Sequence, residues 1–328
     1  MTPVADNAPS KNVTATFSAA TDLGQIRERN EDLFLLQDLA RTDHMEGGAP
    51  AQIDLEKGRG LLAVFDGMGG AASGDVAARI ARDSVSRQLC GDAEDLEKAV
   101  VQSLVVANRE VRSRAAVERR YAGMGTTATV AALQQNVLVI GHVGDSRAYL
   151  LRRGQLYQLT EDQSLINELV SSGVVSDEAA SQSPLSNVIL QALGVCQEVV
   201  PFVGTIELRF DDRLLLCSDG LSNMLEKEEM LEILSGESDV GKATKQLVQQ
   251  ANHAGGHDNI TVVVAHFTGD GLDRDSADLP LGVELRPVQA PDLAQLSPPQ
   301  NTGEFWALII GALLVISAVV GVILFLGR

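Results

Sequence analysis

The chemistry in this chain sits where apolar runs stop at a carboxylate. Leu61–Phe65 runs into Asp66-Gly67-Met68-Gly69-Gly70, and Arg213–Cys217 runs into Ser218-Asp219-Gly220. Val137–Val143 runs into Gly144-Asp145-Ser146-Arg147, and Asp258-Asn259 stands immediately before Ile260–Phe267. One Asp-Gly after a strand is ordinarily a turn. Four such aspartates, on strands able to share one sheet edge, point further. If the strand ends meet, three or four carboxylates crowd together. Two unit charges 4 Å apart repel by ~4 kcal/mol at an effective dielectric of 20. Such a cluster takes up protons or binds cations. All-oxygen ligation favours hard ions, Mg2+ or Mn2+, with water in the remaining positions. Gly67, lacking a Cβ, is placed to offer its carbonyl to an ion.

A second cluster lies near the N-terminus: Thr21-Asp22-Leu23-Gly24, then Arg27, then Asn30-Glu31-Asp32. Arg27 presents a planar fork of donors suited to phosphate. Glu31 and Asp32 suit the support of metal-held water. The same segment also reads as a solvated, charged turn before a strand. His253 and His257 have an i, i+4 spacing that suggests zinc on a helix, but Gly255 and Gly256 interrupt that helix and no third ligand is evident. Cys90, Cys196 and Cys217 are odd in number and far apart, which argues for a reducing compartment and against a cysteine metal site. Ser218 lacks the Gly-x-Ser-x-Gly setting of a serine nucleophile.

The elements that must position these residues are mostly strands. They are expected at Leu33–Gln37, Leu61–Phe65, Thr127–Leu133, Val137–Val143, Ala148–Leu151, Arg213–Cys217 and Ile260–Phe267. Short turns at Gln134–Asn136, Gly144–Ser146 and Arg152–Gly154 predict hairpins, hence an antiparallel meander. Ala77, Ala81, Val85 and Leu89 mark one helix, and Leu96, Val100, Leu104 and Val111 a second, with Asp92 or Asp95 near its start. Val240, Ala243, Leu247 and Ala251 mark a third. Antiparallel sheet with amphipathic helices is an α+β layered domain. Arg41–Gly60 is polar and Gly-rich and is expected to be a long loop.

Composition bounds the partners. Of 328 residues, 45% are apolar and 21% charged, an ordinary globular balance. The 44 acidic side chains against 26 basic ones give a net charge of -18, which repels a nucleic-acid backbone. Four segments are expected: a disordered N-terminus at 1–11, a globular domain at 12–267, a Pro-rich acidic linker at 268–304 and a transmembrane helix at 305–326. Residues 1–11 have no apolar core of the signal-peptide kind. Phe305–Leu326 has 22 residues and no charged side chain. As a helix it spans roughly 33 Å, enough to cross a hydrocarbon core of ~30 Å. Trp306 sits at one end of it and Arg328 closes the other. The expectation is a single-pass C-terminal anchor with the globular domain on the cytoplasmic side.

Taken together, the motifs resemble the metal-dependent protein phosphatase family, the type 2C serine/threonine phosphatases, in its bacterial form. The matching pieces occur in family order. They are Thr21-Asp22-x-Gly24-x-x-Arg27-x-x-Asn30-Glu31-Asp32, Asp66-Gly67-Met68-Gly69-Gly70, Gly123-Met124-Gly125-Thr126-Thr127, Gly144-Asp145-Ser146-Arg147, Ser218-Asp219-Gly220 and Gly256-His257-Asp258-Asn259. They span about Thr16 to Phe267. The resemblance implies a central antiparallel β-sandwich flanked by helices in α-β-β-α layers, with a binuclear Mn2+ or Mg2+ centre at one end. On it, Asp66 would bridge two metals, Gly67 would lend its carbonyl, and Asp219 and Asp258 would bind the other ion. Asp145, with Asp219, would match a third metal site. Arg27 would bind the substrate phosphate, Glu31 and Asp32 would orient water, and Asn259 would support the last ligand. The implied reaction is hydrolysis of phosphoserine and phosphothreonine in proteins by a water activated between the two ions, with Arg27 and Asp66 as the catalytic pair. The implied partners are phosphorylated proteins and a serine/threonine protein kinase.

Two departures stand out. Met68 occupies the position where animal relatives carry a His able to protonate the leaving group. Gln163, in Thr160-Glu161-Asp162-Gln163-Ser164, stands where relatives often have His. The stretch from Asp162 to Pro184 resembles the bacterial flap beside the active site, and its Ser/Gly/Ala content fits a mobile segment. Two alternatives remain from the sequence: a non-catalytic regulatory docking module of the same fold, and a small-molecule phosphoesterase.

Overall fold

Strands buried on both faces read as continuous apolar runs, because nothing selects a polar residue at every second position. Arg213–Cys217 is buried at all five positions and Ala128–Gln134 at six of seven. The computed structural model describes residues 12–39, 44, 45, 47–69, 73–91, 95–176, 188–274 and 285–288. It places these runs inside two stacked six-stranded antiparallel sheets. The first has the order β10 (Gln155–Gln158), β9 (Arg147–Arg152), β12 (Arg213–Cys217), β13 (Ile260–Thr268), β1 (Thr14–Asp22), β3 (Ala51–Asp54). The second has the order β14 (Arg286–Pro287), β11 (Phe202–Glu207), β8 (Val137–Val143), β7 (Ala128–Gln134), β4 (Arg59–Phe65), β2 (Leu33–Asp38). A two-residue pair, β5 (Gly67–Met68) with β6 (Gly125–Thr126), closes one end.

Between the sheets, Phe17, Leu36, Leu62, Ile140, Leu216 and Phe267 share one core. Each such side chain contributes about 1.5–3 kcal/mol by leaving water. Helices cover both outer faces. Helix α1 (Gly74–Leu89) lies on β2 and β4, and α2 (Leu96–Val117) on β8 and β7. The helix Val240–His253 lies on β1 and β13, and Leu247 and Ala251 join a second core with Tyr149, Leu215 and Val262. Caps begin these helices. Asp95 accepts from Lys98 N–H and Asp239 from Lys242 N–H. Glu226 and Glu229 form a capping box before Lys227–Gly236. The layers are therefore α-β-β-α.

Several expectations change. The turn Gly144–Ser146 does not make a hairpin. β8 pairs with β7 and β11, while β9 pairs with β10 and β12, so this turn carries the chain from one sheet to the other. Gly144, at φ +114, permits that step. The hairpins at Gln134–Asn136 and Arg152–Gly154 do form. The expected loop Arg41–Gly60 contains β3, an edge strand paired with β1 in the register Thr14 to Asp54. Its signal is weak because only Ile53 of its four residues is buried. Nor does the fold end at 267. Leu272 is buried in the inter-sheet core, Gly271 N–H donates to Asn12 C=O, and β14 adds to β11. The start of the flap is a helix, Leu165–Ser171, capped by Ser164, rather than a purely mobile stretch. The expected N-terminal tail at 1–11 and the transmembrane helix at 305–326 lie outside the described residues. Among the described residues no helix is long and apolar enough to cross a membrane.

Candidate active site

The carboxylates meet at one end of the sandwich, and they come from both sheets rather than from one edge. Asp66 follows β4 of the second sheet, and Asp219 follows β12 of the first. Asp145 sits in the turn that crosses between them, and Asp258 precedes β13. Asp32 stands one residue before β2. The packing explains the placement. Stacked sheets bring strand ends from separate layers together, so residues nearly two hundred positions apart become neighbours.

The electrostatics record the crowding. The Asp66 carboxyl is pushed well above its ordinary range, first by burial, then by Asp32, Asp219, Asp145 and Asp258. Asp145 is raised to about 7 by burial, then by Asp219 and Asp162. Asp219 is raised by burial and by Asp258, while a hydrogen bond with Asp66 opposes the shift. Asp32 is raised to about 8 by burial, against hydrogen bonds from Ser218 and Thr261 that favour its charged form. The cost of this arrangement points to a cation. Asp145 Oδ1 and Asp219 Oδ1 are buried and have no hydrogen-bond partner in the protein. An unpaired buried acceptor costs about 1–3 kcal/mol. The donor set is all oxygen and the residues fit Mg2+ or Mn2+. Among the described residues no three acidic, His or Cys side chains stand close enough together to hold a metal ion as they are placed. Asp258 is held by Arg27 at 2.6 Å.

The surrounding residues fix these groups. Asp66 N–H donates to Thr127 Oγ1 at 3.0 Å, and Thr127 Oγ1 meets Ser146 Oγ at 2.8 Å. The loop of Asp66 is thereby tied to the turn of Asp145. Glu31 Oε1 accepts from Gly74 N–H at 3.1 Å, capping α1 where Ser73 makes no side-chain cap. Asn259 is a bolt. Its Oδ1 accepts Glu31 N–H at 2.9 Å, and its Nδ2 donates to the carbonyls of Leu23 and Arg29 at 3.0 and 2.9 Å. The bolt holds the loop that carries Arg27 against Asp258. Arg27 Nη2 lies 2.6 Å from Asp258 Oδ2, and the Arg27 side chain is 53% exposed. The Arg27 guanidinium is raised, first by that hydrogen bond, with Asp219 and Asp66 adding to it.

Sequence reasoning missed three supports. Ser218 Oγ donates to Asp32 Oδ2 at 2.7 Å, Thr261 N–H donates to Ser218 Oγ at 3.0 Å, and Thr21 Oγ1 meets Thr261 Oγ1 at 2.7 Å. The only signal available was that these hydroxyls adjoin the acidic motifs. Also missed was the clamp at the flap base, where Arg147 Nε and Nη2 bind both oxygens of Asp162 at 2.8 and 2.7 Å. Gln163 answers to the same turn, its Oε1 accepting Gly144 N–H at 3.0 Å. His253 and His257 do not make a zinc pair. His253 Nδ1 meets Gln249 C=O at 2.8 Å, and the helix ends at His253.

The crowding carries a pH signature for the chelated protein. Asp32 and Asp145 titrate near 8 and 7 when folded and near 3.8 otherwise. Between about pH 4 and 8 the folded chain thus holds more protons than the unfolded one. Stability falls as pH rises through that window. The melting temperature in EDTA is expected to drop steadily from pH 5 to 8, and Mn2+ to raise it more at pH 8 than at pH 5. A flat profile in EDTA would mean that the carboxylates do not crowd.

The chain is similar to known proteins in sequence and in fold. The sequence profile described as Protein phosphatase 2C matches residues 42–259. A serine/threonine phosphatase, stp, from Listeria monocytogenes is 37% identical over 260 residues, covering 77% of this chain and 97% of the relative. The solved serine/threonine phosphatase PstP/Ppp of Mycobacterium tuberculosis superposes with a TM-score of 0.67 at 34% identity, covering 80% of this chain and all of that one. The catalytic domain of the serine/threonine protein phosphatase PstP in complex with two manganese ions gives 0.66 at 33% identity, covering 78% and 99%.

Proposed function

The chain belongs to the protein phosphatase 2C family, and on that premise we propose that it hydrolyses phosphoserine and phosphothreonine in proteins at a Mn2+- or Mg2+-dependent centre. The observation that carries this reading is the pair of buried, partnerless oxygens on Asp145 and Asp219 beside the crowded Asp66. Asp66, Asp219 and Asp258 would hold two ions, with the Gly67 carbonyl, and Asp145 with Asp219 a third. Two such ions supply a water acidic enough to attack phosphorus at neutral pH and positive charge to offset the phosphoryl oxygens.

The protein's own groups do the rest. With Asp258 engaged by a cation, the Arg27 fork, now paired with Asp258, would be free to bind the substrate phosphate. Glu31 and Asp32 sit beside the site to orient water. Neither Cys217 nor Ser218, which follow one another at the end of β12, is available as a covalent nucleophile. Cys217 is fully buried, and burial pushes its thiol up to about 12. Ser218 is fully buried and spends its hydroxyl proton on Asp32. Water therefore attacks phosphorus directly and no phosphoenzyme forms. Met68 has no proton to give, so either water held at the site protonates the leaving alkoxide or its departure goes less assisted.

The finer reading is that Phe305–Leu326 tethers the enzyme to a membrane with the catalytic domain in the cytoplasm. There it reverses a serine/threonine kinase. The uncharged 22-residue run, with Trp306 at one end, supports this. Purified full-length protein is expected to release phosphate from a phosphothreonine peptide with Mn2+ and to stop when chelator is added. The full chain should sediment with membranes, and a chain ending at Gln289 should stay soluble and active. Hydrolysis unaffected by chelator would refute the metal reading. Sedimentation of the shortened chain would refute the tether.

A further inference from the structure

The outer face of the α1–α2 hairpin carries a charge opposite to that of the chain. From Arg109 to Tyr121 stand Arg109, Arg112, Arg114, Arg119 and Arg120, against only Glu110 and Glu118, in a protein of net charge -18. Both acids are already engaged. Glu110 pairs with Arg87 of α1 at 2.6 Å, and Glu118 is shared by Arg114 and Arg120 at 2.7 and 2.6 Å. The Tyr121 ring lies beneath the same two guanidinium groups, 5.2 and 4.6 Å from its centre. Arg109 and Arg119 are exposed, and among the described residues neither has an acidic or hydrogen-bonding partner.

A shallow, open groove of about 560 Å3 lies between the helices, with Arg109 in its lining and Arg119 two residues beyond the lining residue Val117. Ile80, Val106 and Val117 line it with Arg109, Ser113, Arg114 and Glu110, the last already paired with Arg87. Val117 is 77% exposed at the end of α2. The two helices that line the groove both connect to the candidate site. α1 begins at Gly74, whose N–H is held by Glu31. Past Tyr121, the chain leaving α2 reaches β6, which pairs with Gly67–Met68 next to Asp66.

We propose that this groove docks an acidic segment of the phosphoprotein being hydrolysed, with an apolar side chain seated between Ile80 and Val117 and carboxylates on Arg109 and Arg119. The proposal rests on the phosphatase reading above. Charge complementarity favours an acidic partner. The apolar residues in the lining favour a peptide side chain over a lipid surface, which asks for charge without a cleft.

The test uses the full chain and a fluorescein-labelled 12-residue peptide of Asp and Glu with one central Ile, read by anisotropy at low salt. Wild type should bind it. Arg109→Glu/Arg119→Glu and, separately, Val117→Asp should each weaken binding about tenfold. Hydrolysis of p-nitrophenyl phosphate with Mn2+ should be unchanged in both. kcat/KM should fall about tenfold for an acidic phosphothreonine peptide and stay level for a neutral one. Absence of peptide binding by wild type, or equal binding by the variants, overturns the proposal. So does weakened binding to 7:3 phosphatidylcholine–phosphatidylserine vesicles with peptide binding intact. Because affinity is read without turnover, a wild type that binds the peptide but hydrolyses no phosphoester counts against the phosphatase reading instead.

Discussion

Replacing Asp66 with Asn abolishes Mn2+-dependent phosphate release, by at least about a hundred- to a thousandfold, the range seen when a charge-stabilising group is lost from an active site. The substitution keeps the shape of the side chain and removes one charge from the most crowded position. Asp66 is repelled by Asp32, Asp219, Asp145 and Asp258 at once. The variant should therefore be at least as stable as wild type in EDTA at pH 8, where repulsion is strongest. Its gain in melting temperature on adding Mn2+ should shrink or vanish. This pairing separates a ligand from a merely structural aspartate, whose loss would lower stability in EDTA as well. Asp219→Asn should behave the same way, because its Oδ1 is one of the two buried partnerless oxygens. Full turnover in either variant would contradict the assignment.

Gly67→Ala is the second large effect. A Cβ at this position would stand 2.4 Å from the carbonyl oxygens of both Glu31 and Gly74. Both are backbone atoms, one in the Arg27 loop and the other at the start of α1, so neither gives way cheaply. Overpacking of a tight interior costs about 1–3 kcal/mol and more where backbone must move. A loss of at least about 3 kcal/mol lowers the melting temperature by roughly 6–12 °C in a domain of this size. Activity should fall with it, since the strained residue adjoins Asp66 and displaces Glu31. Gly91→Ala is the matched control, with nothing within 4 Å of the added methyl group. Calorimetry of the two variants checks the contrast, and equal melting temperatures would mean that the close approach at Gly67 is not built as described.

The part of the site legible in the sequence was the part written locally. Asp66, Asp145, Asp219 and Asp258 each adjoin an apolar run, and a strand end is a local pattern. Which sheet each strand joins is not local. Gly144–Ser146 has the length and residues of a hairpin turn, and only the stacking of the sheets makes it a crossing. The contact between Arg27 and Asp258 spans 231 positions, so an arginine suited to phosphate gave no hint of the carboxylate that holds it. β1 escaped notice because Thr14–Asp22 is built from small and hydroxyl residues. Ala15, Phe17 and Ala19 are buried in the core between the sheets, while the other face of β1 lies under the helix Val240–His253. Asn259 was legible as a neighbour of Asp258, but not as the bolt that ties three backbone groups of the Arg27 loop.

The central claim is that carboxylates from both sheets jointly hold hard cations, and that this makes the water reactive. Equilibrium dialysis with Mn2+, run beside phosphate release on the same protein, tests it most directly. The expected result is at least two ions per chain, with turnover appearing only as the second ion binds, and fewer than two in Asp219→Asn. Turnover at full rate with one ion or none bound, or unchanged Mn2+ uptake by Asp219→Asn, would contradict it.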